Sequence, residues 1–165
     1  MAFLPFLEWL ENTSGSIAIR ESILIYPLVE TTHVLTLCLF LGLTALWDLR
    51  LLGLAMRRVP VSEVGGRLLP WAVAGFGLMV VSGGLLFYSG PLRAAQNIFF
   101  QVKMVMIALA CLNALVFHKT VYRRVEVWDR EAVIPLRARA AGFLSLVLWA
   151  GVVVAGRMQA YNWFD

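Results

Sequence analysis

Charge is scarce in this chain. Of its 165 residues, 15% are Asp, Glu, Lys or Arg, against 61% hydrophobic. A soluble domain of this size needs far more polar surface than that, so a water-soluble globular fold is excluded. Cysteine is nearly absent: Cys38 and Cys111 form no CxxC, which argues against a thiolate metal centre and leaves both as small apolar fillers within membrane spans. There is no phosphate-cradling glycine loop, no HExxH and no Ser/His/Asp constellation. Soluble-enzyme chemistry therefore has no motif here, and the sequence assigns no enzymatic reaction.

What the chain does have is long apolar runs, with a mean hydropathy of +0.80. Four windows, about 22–48, 68–88, 98–120 and 138–159, reach the ~20 residues needed to cross ~30 Å of hydrocarbon. The expected architecture is all-α: an integral membrane four-helix bundle forming one domain over 1–165. The opening MAFLPFLEWLEN sets Phe3, Leu7 and Leu10 against Glu8 and Glu11 and has no basic n-region. It reads as a short amphipathic surface helix rather than a signal peptide. Pro27, Pro60, Pro70, Pro91 and Pro135 mark bends or ends, with Pro70 expected to open the second span. The short turn SGPLRAAQN predicts that spans two and three are antiparallel neighbours. Gly75, Gly77, Gly83 and Gly84 in span two would let a helix or a flat ring approach the backbone. Val121–Glu131 is expected to continue helix three with a solvated charged face.

Arg50, Arg57, Arg58, Arg67, Lys119, Arg123, Arg124, Arg130, Arg137 and Arg139 all follow spans one and three, and the chain holds 14 Lys and Arg in all. That bias makes the loops after these spans cytoplasmic and both termini periplasmic, as in a multi-pass protein of the bacterial inner membrane. Anionic lipid accounts for the net charge of +4, so no nucleic-acid partner is needed. Trp47, Trp71 and Trp128 fit an inner aromatic belt, Trp9 and Trp163 an outer one, and Trp149 falls near mid-membrane.

The first span carries the most informative pattern. Tyr26, Glu30, His33, Thr44 and Asp48 fall within roughly 60° of one another at ~100° per residue, a stripe that must face protein, cofactor or water. At ~1.5 Å per residue, His33 lies roughly 16 Å below the outer end, Glu30 roughly 12 Å, and Lys103 roughly 8 Å. An outer layer of Tyr26, Glu30, His33, Lys103, Ser82 and Gln101 follows. Asp48, Arg50, Trp71, Asn113 and His118 form an inner one. The depth between the histidines excludes a single haem clamped by His33 and His118. The outer layer has three readings: a buried Glu30–Lys103 ion pair; His33 as ligand to haem iron or copper, with Met79, Met104, Met106 or Lys103 as a further ligand; or a proton relay or quinone pocket of Tyr26, Glu30 and His33.

The runs YPLVETTHVLTLCLFLGLTALWDLRLLGL, LLPWAVAGFGLMVVSGGLLFYS and NIFFQVKMVMIALACLNALVFHK resemble an uncharacterised family of bacterial four-helix inner-membrane proteins. Its pattern is E-x-x-H then DLRLLG in helix one, PW…GF…SGG in helix two, and F-x-x-K…A-x-x-N-A in helix three. More distantly, the chain is similar to the haem-b protoporphyrinogen oxidase family and to the copper-resistance D membrane family. The first resemblance implies a ligand role for His33 and a functional role for Lys103; the second makes His33 a copper-linked residue. The Trp-rich start of the one and the methionine clusters of the other are missing.

Three functions follow as expectations. One is a membrane redox protein that binds haem b and passes electrons between a quinone and an outer-face redox protein, with His33, Lys103, Glu30, Met79 and Met106 around the cofactor. Another is copper or other metal handling with His33 as metal ligand. The third is a non-catalytic assembly subunit without a bound cofactor, in a homo-oligomer or a larger membrane complex.

Overall fold

The computed structural model describes residues 3–129 and 134–161. Arg130, Glu131, Trp163 and most of the YNWFD tail lie outside them. Among the described residues the fold is all-α, with no strand. Its helices are α1 (Phe3–Glu11), α2 (Ser14–Glu21), α3 (Ile25–Leu51), α4 (Val61–Ser89), α5 (Pro91–Gln96), α6 (Ile98–Thr120), α7 (Val125–Trp128) and α8 (Leu136–Met158). Four of them, α3, α4, α6 and α8, are long and apolar enough to span a bilayer. The chain is a multi-pass membrane protein.

Local chemistry sets the helix ends. Pro60 and Pro135 stand at the N-caps of α4 and α8, where a missing N–H costs nothing. Asn97 caps α6 by accepting from the amides of Phe99 (2.9 Å) and Phe100 (3.3 Å). Beyond α3 the chain turns at Gly53, whose φ of +73° suits a residue without Cβ. Two boundaries differ from expectation. Helix α4 begins at Val61, so Pro70 lies inside it; Val61 and Val64 extend its buried face toward Trp47 and Trp128, while Glu63 and Arg67 pair on the exposed side at 2.7 Å. Helix α6 stops at Thr120, and a short 3-10 turn, Tyr122–Arg124, leads into α7. The break lets Trp128 reach the core and donate to the Val121 carbonyl (3.4 Å), leaving Arg123, Arg124 and Glu126 exposed.

Span α3 packs on α4 and on α8, and α6 packs on α8. Spans α4 and α6 stack Phe87 on Phe100 near their connecting turn, with ring centroids 5.5 Å apart, but have no comparable packing further along. The expected neighbours therefore meet at one end and part toward the other. In a bilayer, apolar faces gain little by meeting one another, so close packing and buried polar bonds decide which helices pair. Aromatic interlock supplies the first: Phe40 of α3 lies 4.7 Å edge-on to Trp149 of α8 and 5.2 Å from Phe76 of α4. Close approach also requires Gly142 of α8, because a Cβ there would stand 3.0 Å from the Asp48 carbonyl oxygen and 3.1 Å from Leu51 Cβ.

The bundle has two distinct ends. At the terminal end, α1 packs on α5 and α2 on α4, so the N-terminal segment caps the helix hairpin as well as presenting an apolar face. Leu7 is fully buried while Phe6 and Trp9 stay exposed. Ser16 donates to the Tyr88 carbonyl (2.8 Å), the Thr13 and Tyr88 hydroxyls bond at 2.6 Å, and the Leu92 amide donates to Glu11 (3.2 Å). At the opposite, basic end, Trp47 and Trp128 are core residues rather than belt residues, packed with Leu51, Val61, Phe117 and Ala138. Trp47 sits edge-on to Phe117 and Tyr122, which takes it away from lipid. Asp129 closes this end: its carboxylate accepts from the Ser62 amide (2.9 Å) and the Ser62 hydroxyl, and so caps α4 from a distant part of the chain.

Two predictions follow. Gly142→Val should drive α8 from α3 and destabilise the bundle by about 1–3 kcal/mol, read as a lowered melting temperature in detergent. For Asp129, burial opposes ionisation, but the bonds from Ser62 and the Arg50 charge outweigh it and hold the carboxyl below its ordinary value. A depressed folded-state value stabilises the fold above the unfolded value of about 3.9 and loses that contribution as pH falls through the folded value. Asp129→Asn should therefore lower stability by about 1 kcal/mol at neutral pH. It should also flatten the acid side of the stability profile below about pH 5, where the wild type loses the Asp129 contribution.

Candidate functional site

Helix α3 carries a polar group in each half of the membrane. In the terminal half, the His33 ring lies on Gly83 of α4, where an added Cβ would come 3.0 Å from its Cε1. Its Nδ1 is 3.1 Å from the Met79 carbonyl and 3.0 Å from Ser82 Oγ. Ser82 spends its own proton on the Leu78 carbonyl (2.8 Å), so both neighbours of Nδ1 act as acceptors. The neutral imidazole must therefore carry its proton on Nδ1, and its Nε2 lone pair is left without a hydrogen-bond partner among the described residues. This tautomer is the one that can bond a metal or accept a proton at Nε2.

The rest of the outer layer separates. Lys103 is close enough to His33 to act on it electrostatically. Its ammonium turns instead to Gln159 Oε1 (3.1 Å) and lies 4.9 Å from the Phe100 ring centre, with its stem against Gly156 of α8. Glu30 and Tyr26 are exposed on the flank of α3, and the Glu30–Lys103 ion pair does not form. Helix pairing explains this, since α6 packs on α8 and carries Lys103 away from the exposed flank of α3. Gln101 bonds the Ala95 carbonyl at 2.9 Å. Met79 is buried in the central core, Met106 is half-buried beside Gly151, and Met104 is exposed. Trp149 packs on Phe40 and Phe76. His118 lies far from His33, beside Phe117 and Tyr122 at the basic end.

The inner layer is more cohesive. Where α4 and α6 part, a cavity of about 430 Å³ opens, and Asp48, Asn113 and His118 all line it. Two expected members leave: Arg50 donates to the Val59 carbonyl (2.9 Å), and Trp71 is exposed on the outside of α4. A member that sequence reading missed is Ser145 of α8, whose hydroxyl reaches the Asp48 carboxylate. Depth counted from helix ends hides it, because α3 ends inside the protein, with Leu51 1% exposed, rather than at the head groups. Asp48 itself is 3% exposed, and its Oδ2 has no partner among the described residues. A second cavity of about 210 Å³ between α3 and α8 also borders Asp48.

Among the described residues no group of three or more His, Cys, Asp or Glu side chains could hold a metal ion. Cys38 and Cys111 are free and exposed on the bundle surface. Compared with known proteins, the chain matches no family model, no curated protein and no solved structure.

Proposed function

We propose that this multi-pass membrane protein takes haem b on His33 and works in membrane electron transfer, with its basic end in the cytoplasm of a bacterium. The observation that supports this reading is the state of the His33 ring. Nδ1–H is held by the Met79 carbonyl and Ser82, so the ring is oriented and Nε2 keeps a lone pair for iron. Haem brings four nitrogen donors of its own and needs only one from the protein. A bare copper ion needs several, and no three His, Cys, Asp or Glu side chains group among the described residues to supply them, so we favour haem b for a lone imidazole. When bound, haem supplies one-electron chemistry. Lys103, in the same half of the bundle, is the cation suited to a cofactor carboxylate. Met79 is committed to the core, and His33 alone would hold the iron. The electrons would pass between a bilayer quinone and a redox partner at the terminal face. The likeness to four-helix inner-membrane proteins read from the sequence belongs to the same proposal.

A second reading, an assembly subunit, is favoured by a different observation. Glu30 and Tyr26 stand exposed on a helix long enough to span the membrane, and an intramembrane carboxylate on such a flank calls for a covering protein, a second copy or a larger complex.

A reduced-minus-oxidised visible spectrum with a pyridine haemochrome assay on detergent-purified protein tests the first reading. The wild type should show a b-type α band near one haem per chain. His33→Ala should remove it while membrane insertion is unchanged, and Gly83→Ala, which crowds the ring, should perturb it. Haem retained in His33→Ala would end the ligand role. A flat wild-type spectrum together with a co-purifying partner would leave the assembly reading in its place.

A further inference from the structure

The inner cavity is independent of His33 and has a chemistry of its own. Its walls are apolar and aromatic: Phe40, Trp47, Phe76, Phe117 and Trp149 all contribute. Cavities of this size, apolar with a few convergent polar groups, are where proteins hold small molecules. Its polar lining holds the Thr44 and Ser145 hydroxyls and three further groups with acceptor atoms. Asn113 donates its amide N–H to the Ala141 carbonyl (3.0 Å), which fixes the amide orientation and leaves Oδ1 as an acceptor. His118 Nδ1 lies 3.0 Å from the Ala114 carbonyl, an acceptor, so its proton sits there and Nε2 keeps a lone pair. Asp48 Oδ2 is a buried acceptor with no partner among the described residues. Three acceptors from two helices line one space; the Ser145 hydroxyl reaches the Asp48 carboxylate, but Oδ2 stays unmatched and no Lys or Arg among the described residues lines the cavity. Arg50, two residues from Asp48, is turned to the Val59 carbonyl and acts on Asp129.

We infer that the inner half of the bundle is a binding site for a lipophilic ammonium ion, an amine with an apolar, ring-bearing body, whose N–H donors and charge are received by Asp48 and whose body lies among the aromatic walls. An unpaired buried carboxylate is costly in a low-dielectric medium, and a cation that brings donors offsets that cost more than a neutral molecule does. Aromatic faces around the head group add cation–π attraction. The route in is lateral. Val73 of α4 and Cys111, Ala114 and Leu115 of α6 line the cavity and are exposed, so the opening between α4 and α6 faces the bilayer, where an amphiphilic amine concentrates.

The test is equilibrium binding to the purified full chain in nanodiscs, read by tryptophan fluorescence and calorimetry. The probes are 1-naphthylmethylamine, an ammonium at neutral pH, and 1-naphthylmethanol, its neutral counterpart. The amine should bind at least tenfold more tightly than the alcohol. Asp48→Asn should weaken the amine tenfold or more and leave the alcohol unchanged. Ala114→Phe, which fills the cavity from an exposed position and removes no charge, should abolish binding of both and guards against misreading an unfolded Asp48 variant. Equal affinity for the two probes, or amine binding that survives either substitution, would overturn the proposal. Neither outcome depends on haem, because His33 is not among the residues that line this cavity.

Discussion

A polar group removed from water inside a bilayer must find its partner within the protein, and two such groups on α3 organise this molecule. His33 reaches across to the α4 backbone and to Ser82; Asp48 reaches across to Ser145 of α8. Each bond ties α3 to a different neighbour, and those neighbours are the two spans on which α3 packs. Because apolar surfaces gain little from each other in lipid, such bonds and the Phe40–Phe76–Trp149 interlock between them determine the order of the helices. The two groups differ in one respect. His33 keeps a lone pair on a half-buried ring, whereas Asp48 keeps an unpartnered oxygen that is buried. A free lone pair is a property of every neutral imidazole. An unmatched buried carboxylate oxygen beside a cavity is a deficit, and it constrains the chemistry of an occupant more tightly.

How much of this was readable beforehand depends on the scale. The four spans follow from hydrophobic runs bounded by proline, and Pro60, Pro91 and Pro135 stand at or beside helix starts as that pattern implies. Depth arithmetic placed His33 with Ser82 and kept His33 apart from His118, because rise per residue is fixed once a helix is known. Rotation and pairing were not readable. Glu30 and Lys103 share a depth but not a partner, since nothing local to α6 says that it packs on α8 instead of α4. Trp47 and Trp128 fit an aromatic belt by position, yet their neighbours Phe117, Tyr122 and Val61 draw them into the core. A belt residue and a core residue have the same sequence signature when the chain folds back at the interface.

The stripe on α3 shows the same limit within one helix. Its inner members, Thr44 and Asp48, line the cavities, and His33 lies against α4, whereas Tyr26 and Glu30 are uncovered. A straight amphipathic face need not be covered along its whole length, because coverage depends on where neighbouring helices cross it. The uncovered part is the portion of the stripe whose side chains stay exposed although α2 packs on the same helix. That is a property of tertiary arrangement, and periodicity alone does not contain it.

The arrangement also decides how the inner cavity communicates with its surroundings. Water would have to reach it through one of the bundle ends. The terminal end is capped by α1 and α2, held through Ser16, Thr13 and Glu11 to the α4–α5 connection. The basic end is filled by Trp47, Leu51, Phe117 and Trp128 and fastened by the Asp129 bond to the start of α4. Between them, the diverging α4–α6 seam is the part of the wall without close helix packing, and it lies where lipid is the solvent. An aqueous ion would have to shed its water in hydrocarbon before meeting Asp48, at a cost that one carboxylate does not recover. A molecule already dissolved in the bilayer meets no such barrier. The closed ends and the open seam thus select for lipid-soluble occupants before any side chain in the cavity makes contact with them.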